Sequence, residues 1–256
     1  MHQLTLLRLL LVIHMAIIGM SAEASLKAFY TFEDSFSDIS GNGYVGKPVN
    51  DPGFTVGYEG RAIDLVAADS QYVSFDNLDI NPGVMPRITF GGWFRADLSS
   101  PIRGVLSHDS GFFDRTIDID SRGNPSGWSA FRGNSNGGVV GGAPVVIGAW
   151  TFVAVRHDQA NGQLTLFVND EVISATGVTF GSGWTSLALG RNPSFDMPFD
   201  GGADNVFVFD DYLSNDQING IRLGGASAIL SIPEPSTYAM LLVAIGLMCC
   251  FARRRA

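Results

Sequence analysis

Oxygen-bearing side chains crowd two widely separated stretches of this 256-residue chain. Asp34, Asp38 and Asn42 stand close together near the start, and Asp200 and Asp204 flank Gly201-Gly202 near the end. Hard oxygens on two distant loops are what a calcium ion needing about 6 to 8 ligands would gather, tying the chain ends together. The spacing is not that of an EF-hand, because no acidic residue stands twelve positions into a loop begun at Asp34 or Asp38. The competing reading is Asx-turn chemistry, in which each side chain bonds its own backbone.

A second set of carboxylates could act on a glycosidic bond. Asp118 and Asp120, in TIDID, point to one face of a strand, and retaining glycosidases hold two carboxyls about 5 to 5.5 Å apart. The simpler reading is two exposed strand carboxylates. His108 and His157, the histidines between Ser25 and Leu230, have no neighbouring Ser or Cys nucleophile motif and read as surface or loop residues. No catalytic residue is assigned, and a non-enzyme is expected.

A third set suits binding. The run GNPSGWSAFRGNSNGGVVGG, Gly123 to Gly142, carries Trp128, Phe131 and Arg132, and GSGW places Trp184 in another loop. Aromatic faces beside amide and guanidinium donors suit sugar stacking and hydroxyl recognition, so Trp128, Arg132 and Trp184 are the candidate ligand-binding residues. The alternative is that Trp128 opens a strand and packs inward.

The elements that must position these groups are strands. Segments rich in Val, Ile, Phe, Tyr and Thr recur about every ten residues between Gly, Asn, Asp or Pro: Lys27 to Phe32, Arg61 to Val66, Gln71 to Phe75, Arg87 to Phe94, Thr116 to Asp120, Trp150 to His157, Gln163 to Val168 and Asn205 to Phe209. That spacing predicts an all-β, antiparallel two-sheet sandwich or jelly roll. In the hairpin from Trp150 to Ser174, Leu164, Leu166 and Val168 form an apolar face, with turns at Asn161-Gly162 and Asn169-Asp170. Ser214 with Gln217 reads as a capping box opening one short helical turn through Ile221.

GAWTFVAVRHDQANGQLTLFVND resembles the central hairpin of laminin-G-like, concanavalin A-like jelly-roll domains. FYTFEDSFSDISGNGYVG, SQYVSFDNLDI followed by ITFGGWFRA, and FDGGADNVFVFDDYLSNDQI agree in order, so the resemblance spans about Lys27 to Gly224. It implies the concanavalin A-like lectin/glucanase fold and a structural calcium joining the first loop to the last strand. The implied ligands are Asp204, then Asp38 and backbone carbonyls around Asn42. Related folds host glucanases, whose E-x-D-x-x-E motif is not matched, since Asp118 and Gly123 stand where its glutamates would be.

The two ends are addresses. Met1 to Ala24 has Arg8, an apolar run from Leu9 to Met20 and the small residues of Ala22-Glu23-Ala24, the pattern of a secretory signal peptide. Pro233-Glu234-Pro235, an apolar run from Tyr238 to Ala252 and the cluster Arg253-Arg254-Arg255 end the chain. The run reads as a transmembrane helix, and the arginines hold its end in the cytoplasm. This tail resembles the PEP-CTERM sorting signal, which implies an exosortase-type partner and delivery to the envelope, cell surface or extracellular matrix.

The organisation expected is therefore a signal peptide over 1–24, a jelly-roll domain over 25–230 and a sorting segment over 231–256. Residues 25–230 carry 12 Lys and Arg against 23 Asp and Glu, a net −11, which excludes nucleic acid as a natural partner. Cations and neutral glycans fit better. The expected function is a non-catalytic surface module binding a polysaccharide or matrix component; a glycoside hydrolase or lyase and a purely structural matrix protein are the alternatives. The two cysteines, Cys249 and Cys250, lie in the apolar tail, so no disulfide staples the body.

Overall fold

The computed structural model describes residues 25–133, 138–193 and 195–232. The expected signal peptide, the Pro233-Glu234-Pro235 motif and the transmembrane run 238–252 lie outside the described residues. Leu26–Ile232 form one compact unit with its own continuous core.

In chain order its strands are β1 (Leu26–Tyr30), β2 (Lys47–Val49), β3 (Gly53–Val56), β4 (Arg61–Leu65), β5 (Tyr72–Phe75), β6 (Arg87–Ala96), β7 (Arg103–Ser107) and β8 (Thr116–Asp120). They continue with β9 (Gly127–Phe131), β10 (Val139–Gly141), β11 (Trp150–Asp158), β12 (Gln163–Val168), β13 (Glu171–Thr176), β14 (Leu187–Leu189), β15 (Met197–Pro198) and β16 (Gly201–Phe209). The first sheet runs β13-β12-β11-β6-β16-β4-β3, with β1 added beside β16. The second runs β10-β9-β8-β7-β14-β5-β2, with β15 parallel to β7.

Alternation along the strands fills the space between the sheets. Phe90 and Phe94 of β6, Val153 and Val155 of β11 and Leu164 and Leu166 of β12 belong to the same core as Ile117 and Ile119 of β8, Trp128 of β9 and Leu189 of β14. All eight strands expected from composition are present, with ends shifted by a few residues. In the β11–β12 hairpin Gly162 (φ 59) takes the left-handed position, and Asn169 (φ 53) takes it in the turn that follows.

Two expectations are corrected. The stretch from Gly123 to Gly142 is not one long loop, because it contains β9 and β10. Its glycines hide a strand whose apolar residues are few but buried. The short turn after Ser214 is a 17-residue helix, α1 (Asn215–Ser231), with both halves of the capping box formed. Gly225 (φ 58, ψ −143) breaks it, and Ile218, Ile221 and Ile229 are buried. Its glycine-rich sequence gives a weak helical signal, so tertiary packing sustains it.

That packing is a second apolar layer, on the outside of the first sheet. Phe29, Trp93, Phe152, Phe207 and Phe209 are buried there. Their rings follow one another, Trp93 to Phe152 at 4.9 Å, Phe152 to Phe207 at 6.4 Å and Phe207 to Phe209 at 5.8 Å between centroids. The helix packs against β16.

Candidate functional site

The outer face of the second sheet carries the polar residues that alternate with its core. On β8, Ile117 and Ile119 face inward, so Thr116, Asp118 and Asp120 face outward. Asp118 and Asp120 are nevertheless buried, at 0% and 1% exposure, which corrects the reading of exposed strand carboxylates. Arg191 and Asn192 lie over this part of the sheet. At Gly104, the cross-strand partner of Asp118, an added Cβ would lie 2.1 Å from the Asn192 backbone nitrogen. Glycine is therefore required for the loop to lie directly on β7.

The buried carboxylates differ in their partners. Asp120 holds Arg122 in a bidentate pair, with Nε and Nη2 donating at 2.6 to 3.1 Å. Asp109 Oδ1 accepts the backbone N–H groups of Gly111, Phe112 and Asp114 at 3.0 to 3.1 Å, and its Oδ2 accepts from Asn192 Nδ2 at 3.0 Å. Asp118 has no hydrogen-bond partner at either oxygen among the described residues. Burial first, then the charges of Asp196, Asp120 and Asp109, hold its carboxyl well above the usual carboxylate range.

Three adjoining depressions make a groove along this face. One of about 530 Å³ is lined by Asn50, Tyr72, Arg191, Asn192, Phe195 and Asp196 among others. A second, of about 200 Å³, shares Asn192, Phe195 and Asp196 and adds Asp109, Phe113, Arg122 and Phe131. A third, of about 170 Å³, shares Tyr72, Arg191 and Pro193 and adds Trp184. The Arg191 guanidinium lies 4.1 Å above the Tyr72 ring. Trp184 is 52% exposed while its main chain is pinned to His108, its N–H donating to His108 O at 2.7 Å.

The three ligand-binding residues expected from sequence are not brought together. Trp184 flanks the groove. Trp128 is 1% exposed, within 6.1 Å of Phe94 and 6.5 Å of Phe199 between ring centroids, and is a core residue. Arg132 follows β9 and does not line these depressions. Tyr72 and Arg191 were missed because they are distant in sequence and carry no motif. An Arg-Asn-Pro loop after a short strand was their faint signal.

The expected calcium ligands are also separated in role. Asp38 is spent on its loop, accepting from Phe29 N and Ser40 N through Oδ1 and from Tyr44 N through Oδ2. Asn42 Nδ2 donates to Leu26 O and Lys27 O, so Asp38 takes the Asx-type role while Asn42 ties its loop back to β1. Asp204 lies elsewhere, beneath the turn at Gly57–Gly60, where its Oδ2 accepts from Glu59 N at 2.9 Å. Its Oδ1 is buried without a partner among the described residues. Burial and, more weakly, the charges of Glu33 and Glu59 push its carboxyl up to about 7. These three oxygen donors suit a hard cation by type, although no three acidic or imidazole groups among the described residues stand in ligating geometry.

The histidines are core residues, not surface ones. His108 and His157 are both fully buried. Arg115 N–H donates to His108 Nε2 at 3.1 Å, and Arg115 Nη2 meets His157 Nδ1 at 3.0 Å. Both acceptor nitrogens must be unprotonated. Burial first and foremost holds both rings at about 4, with the Arg115 charge acting in the same direction.

Known proteins agree with this architecture. Residues 67–219 match the model of the concanavalin A-like lectin/glucanases superfamily, and residues 231–256 match the PEP-CTERM protein-sorting motif. Domain 4 of an extracellular GH43 arabinanase from Geobacillus stearothermophilus superposes with a TM-score of 0.62 at 22% identity, over 77% of this chain and 98% of that one. The binding domain of Paraclostridial Mosquitocidal Protein 1 gives 0.61 at 13% identity, over 77% of this chain and 52% of that one. The receptor-binding domain of a botulinum neurotoxin C/D mosaic gives 0.57 at 13%, over 78% and 51%. Curated proteins contain no similar sequence. The sorting motif marks an exported protein handled by an exosortase at the cell envelope. With its two antiparallel sheets and a family model matched over more than half its length, the chain belongs to the concanavalin A-like lectin/glucanases superfamily.

Proposed function

We propose that this is a non-catalytic surface module, exported behind its signal peptide, whose second-sheet groove binds a carbohydrate or another matrix component. The observation that carries the reading is the continuity of the three depressions through Tyr72, Arg191, Asn192 and Asp196, flanked by the exposed Trp184. An aromatic ring, a stacked guanidinium and an amide are the groups that hold sugar rings and hydroxyls. The superposed arabinanase domain was seen with arabinotriose, and the botulinum neurotoxin domain is a receptor-binding domain. A hydrolase is disfavoured because Asp118 and Asp120, its best carboxylate pair, are buried and the latter is tied to Arg122.

The same reading keeps Asp204, whose buried Oδ1 has no partner among the described residues, as the ligand of a structural calcium, with Asp38 and Asn42 engaged in the first loop. A chelator is expected to lower the melting temperature of Asp204→Asn by less than that of the wild type. For the groove, the body is passed over immobilised polysaccharides, including the producer's own exopolysaccharide. Retention that falls at least tenfold in Tyr72→Ala and Arg191→Ala supports the groove. Retention unchanged in both variants, or release of reducing sugar, overturns the reading.

A further inference from the structure

Asp118 has no explanation in the fold itself. Its carboxyl is wholly buried, neither oxygen has a partner among the described residues, and Asp196, Asp120 and Asp109 surround it with like charge. A buried carboxyl in this state is strongly disfavoured unless something supplies positive charge or hydrogen bonds. The nearby cation, Arg122, is engaged by Asp120. Asp118 instead lies beneath a loop whose side chains present oxygen toward one another. Asn192 Nδ2 sits between Asp109 Oδ2 and Asp196 Oδ2, 3.0 Å from each. That amide N–H₂ brings a partial positive charge to a place enclosed by three carboxylates.

We propose that a calcium ion binds beneath Asn192 and Asp196, held by Asp118, Asp196, Asp109 and the Oδ1 of a turned Asn192, in the floor of the groove. Half a turn of the amide exchanges its nitrogen for its oxygen, converting the group that bridges the carboxylates into a further ligand. No three acidic or imidazole groups among the described residues stand in ligating geometry, so binding draws the side chains of Asp109, Asn192 and Asp196 toward Asp118. The bare Gly104, paired with Asp118 across the strands, already lets the Asn192 backbone lie against the sheet at this point. The 200 Å³ depression lined by Asp109, Asn192 and Asp196 provides the entry path and space for waters that complete the shell. Calcium fits better than magnesium, which demands near-ideal octahedral geometry that four side chains on separate segments do not offer. Asp120 stays with Arg122. The site is distinct from Asp204, which faces the other sheet's exterior, and it stands whether or not the groove takes a glycan.

The test is calcium titration by calorimetry on the body, residues 26–232, with calcium chloride up to about 10 mM, a range that covers the weak sites of extracellular modules. The wild type, Asp118→Asn, Asp196→Asn and Asp204→Asn are compared, each first melted in chelator to establish folding. The expected result is one fewer ion, or at least a tenfold loss of affinity, in Asp118→Asn and in Asp196→Asn, with that site kept in Asp204→Asn. Asp118→Asn is further expected to melt higher than wild type in chelator, since it removes a repelled buried carboxyl. No calcium binding by the wild type would mean that water satisfies Asp118 and would overturn the proposal. So would binding unchanged in both groove variants, or abolished by Asp204→Asn alone. Asp196 is partly exposed on its loop, so its variant decides the matter should Asp118→Asn not fold.

Discussion

Two tryptophans of similar sequence setting, each beside glycine and serine, should respond oppositely to truncation. Trp128 is 1% exposed between Phe94 and Phe199, whereas Trp184 is 52% exposed beside the groove. A buried tryptophan removes roughly 200 Å² from water, which at about 25 cal/mol per Å² amounts to about 5 kcal/mol of transfer free energy. Alanine keeps a little of that and leaves a partly relaxed cavity, so Trp128→Ala is expected to cost about 3–5 kcal/mol. In a domain of this size that lowers the melting temperature by about 8–15 °C. The indole Nε1 is buried without a partner among the described residues, so Trp128→Phe, which discards that N–H, should cost only about 1–2 kcal/mol. Trp184→Ala should change stability by about 1 kcal/mol or less yet weaken retention on the polysaccharide that binds. Urea unfolding followed by far-UV circular dichroism measures the first effect and column retention the second. A Trp128→Ala protein within about 1 kcal/mol of wild type would refute the assignment of this side chain to the core.

Other outcomes follow from single groups. His108 and His157 titrate at about 4 in the folded protein against about 6.5 when unfolded. Their folded values are depressed, so the stability they contribute is full above pH 6.5 and is lost as pH falls toward 4. The loss is roughly 3 kcal/mol per ring at most, and acid unfolding of His157→Gln should be correspondingly shallower over that window. Glu59 Oε2 accepts from Ala226 N at 2.8 Å, directly after the break at Gly225, so it caps the second half of α1. Glu59→Ala should cost about 0.5–1 kcal/mol and raise amide exchange over Ala226–Ser231, read by mass spectrometry, while leaving Ile218 and Ile221 protected. Gly201 (φ 141) has no room for a Cβ, which would meet the Arg95 carbonyl oxygen at 1.9 Å. Gly201→Ala should cost about 3 kcal/mol or more in the same urea assay.

Much of the scaffold was legible because strand alternation is a local property. Leu164, Leu166 and Val168 advertise one buried face by their spacing alone, and they do face the core. Ser214 and Gln217 likewise announce a helix start three residues apart. The helix's length was not legible, since the glycines at 224 and 225 argue against it and only burial of Ile221 and Ile229 on the first sheet overrides them.

The sequence by itself determined the class of fold, the antiparallel hairpins, the acidic surface and the sorting address, because each rests on residue type and short-range periodicity. Only the tertiary structure decided which polar groups share a site. Asp38 and Asp204 look alike in composition, yet one fastens its own loop and the other sits under the turn of Glu59. Asp118 looks like an exposed strand carboxylate until the loop carrying Asn192 closes over it. Burial and long-range pairing depend on where distant segments meet, and one-dimensional spacing holds no record of that meeting.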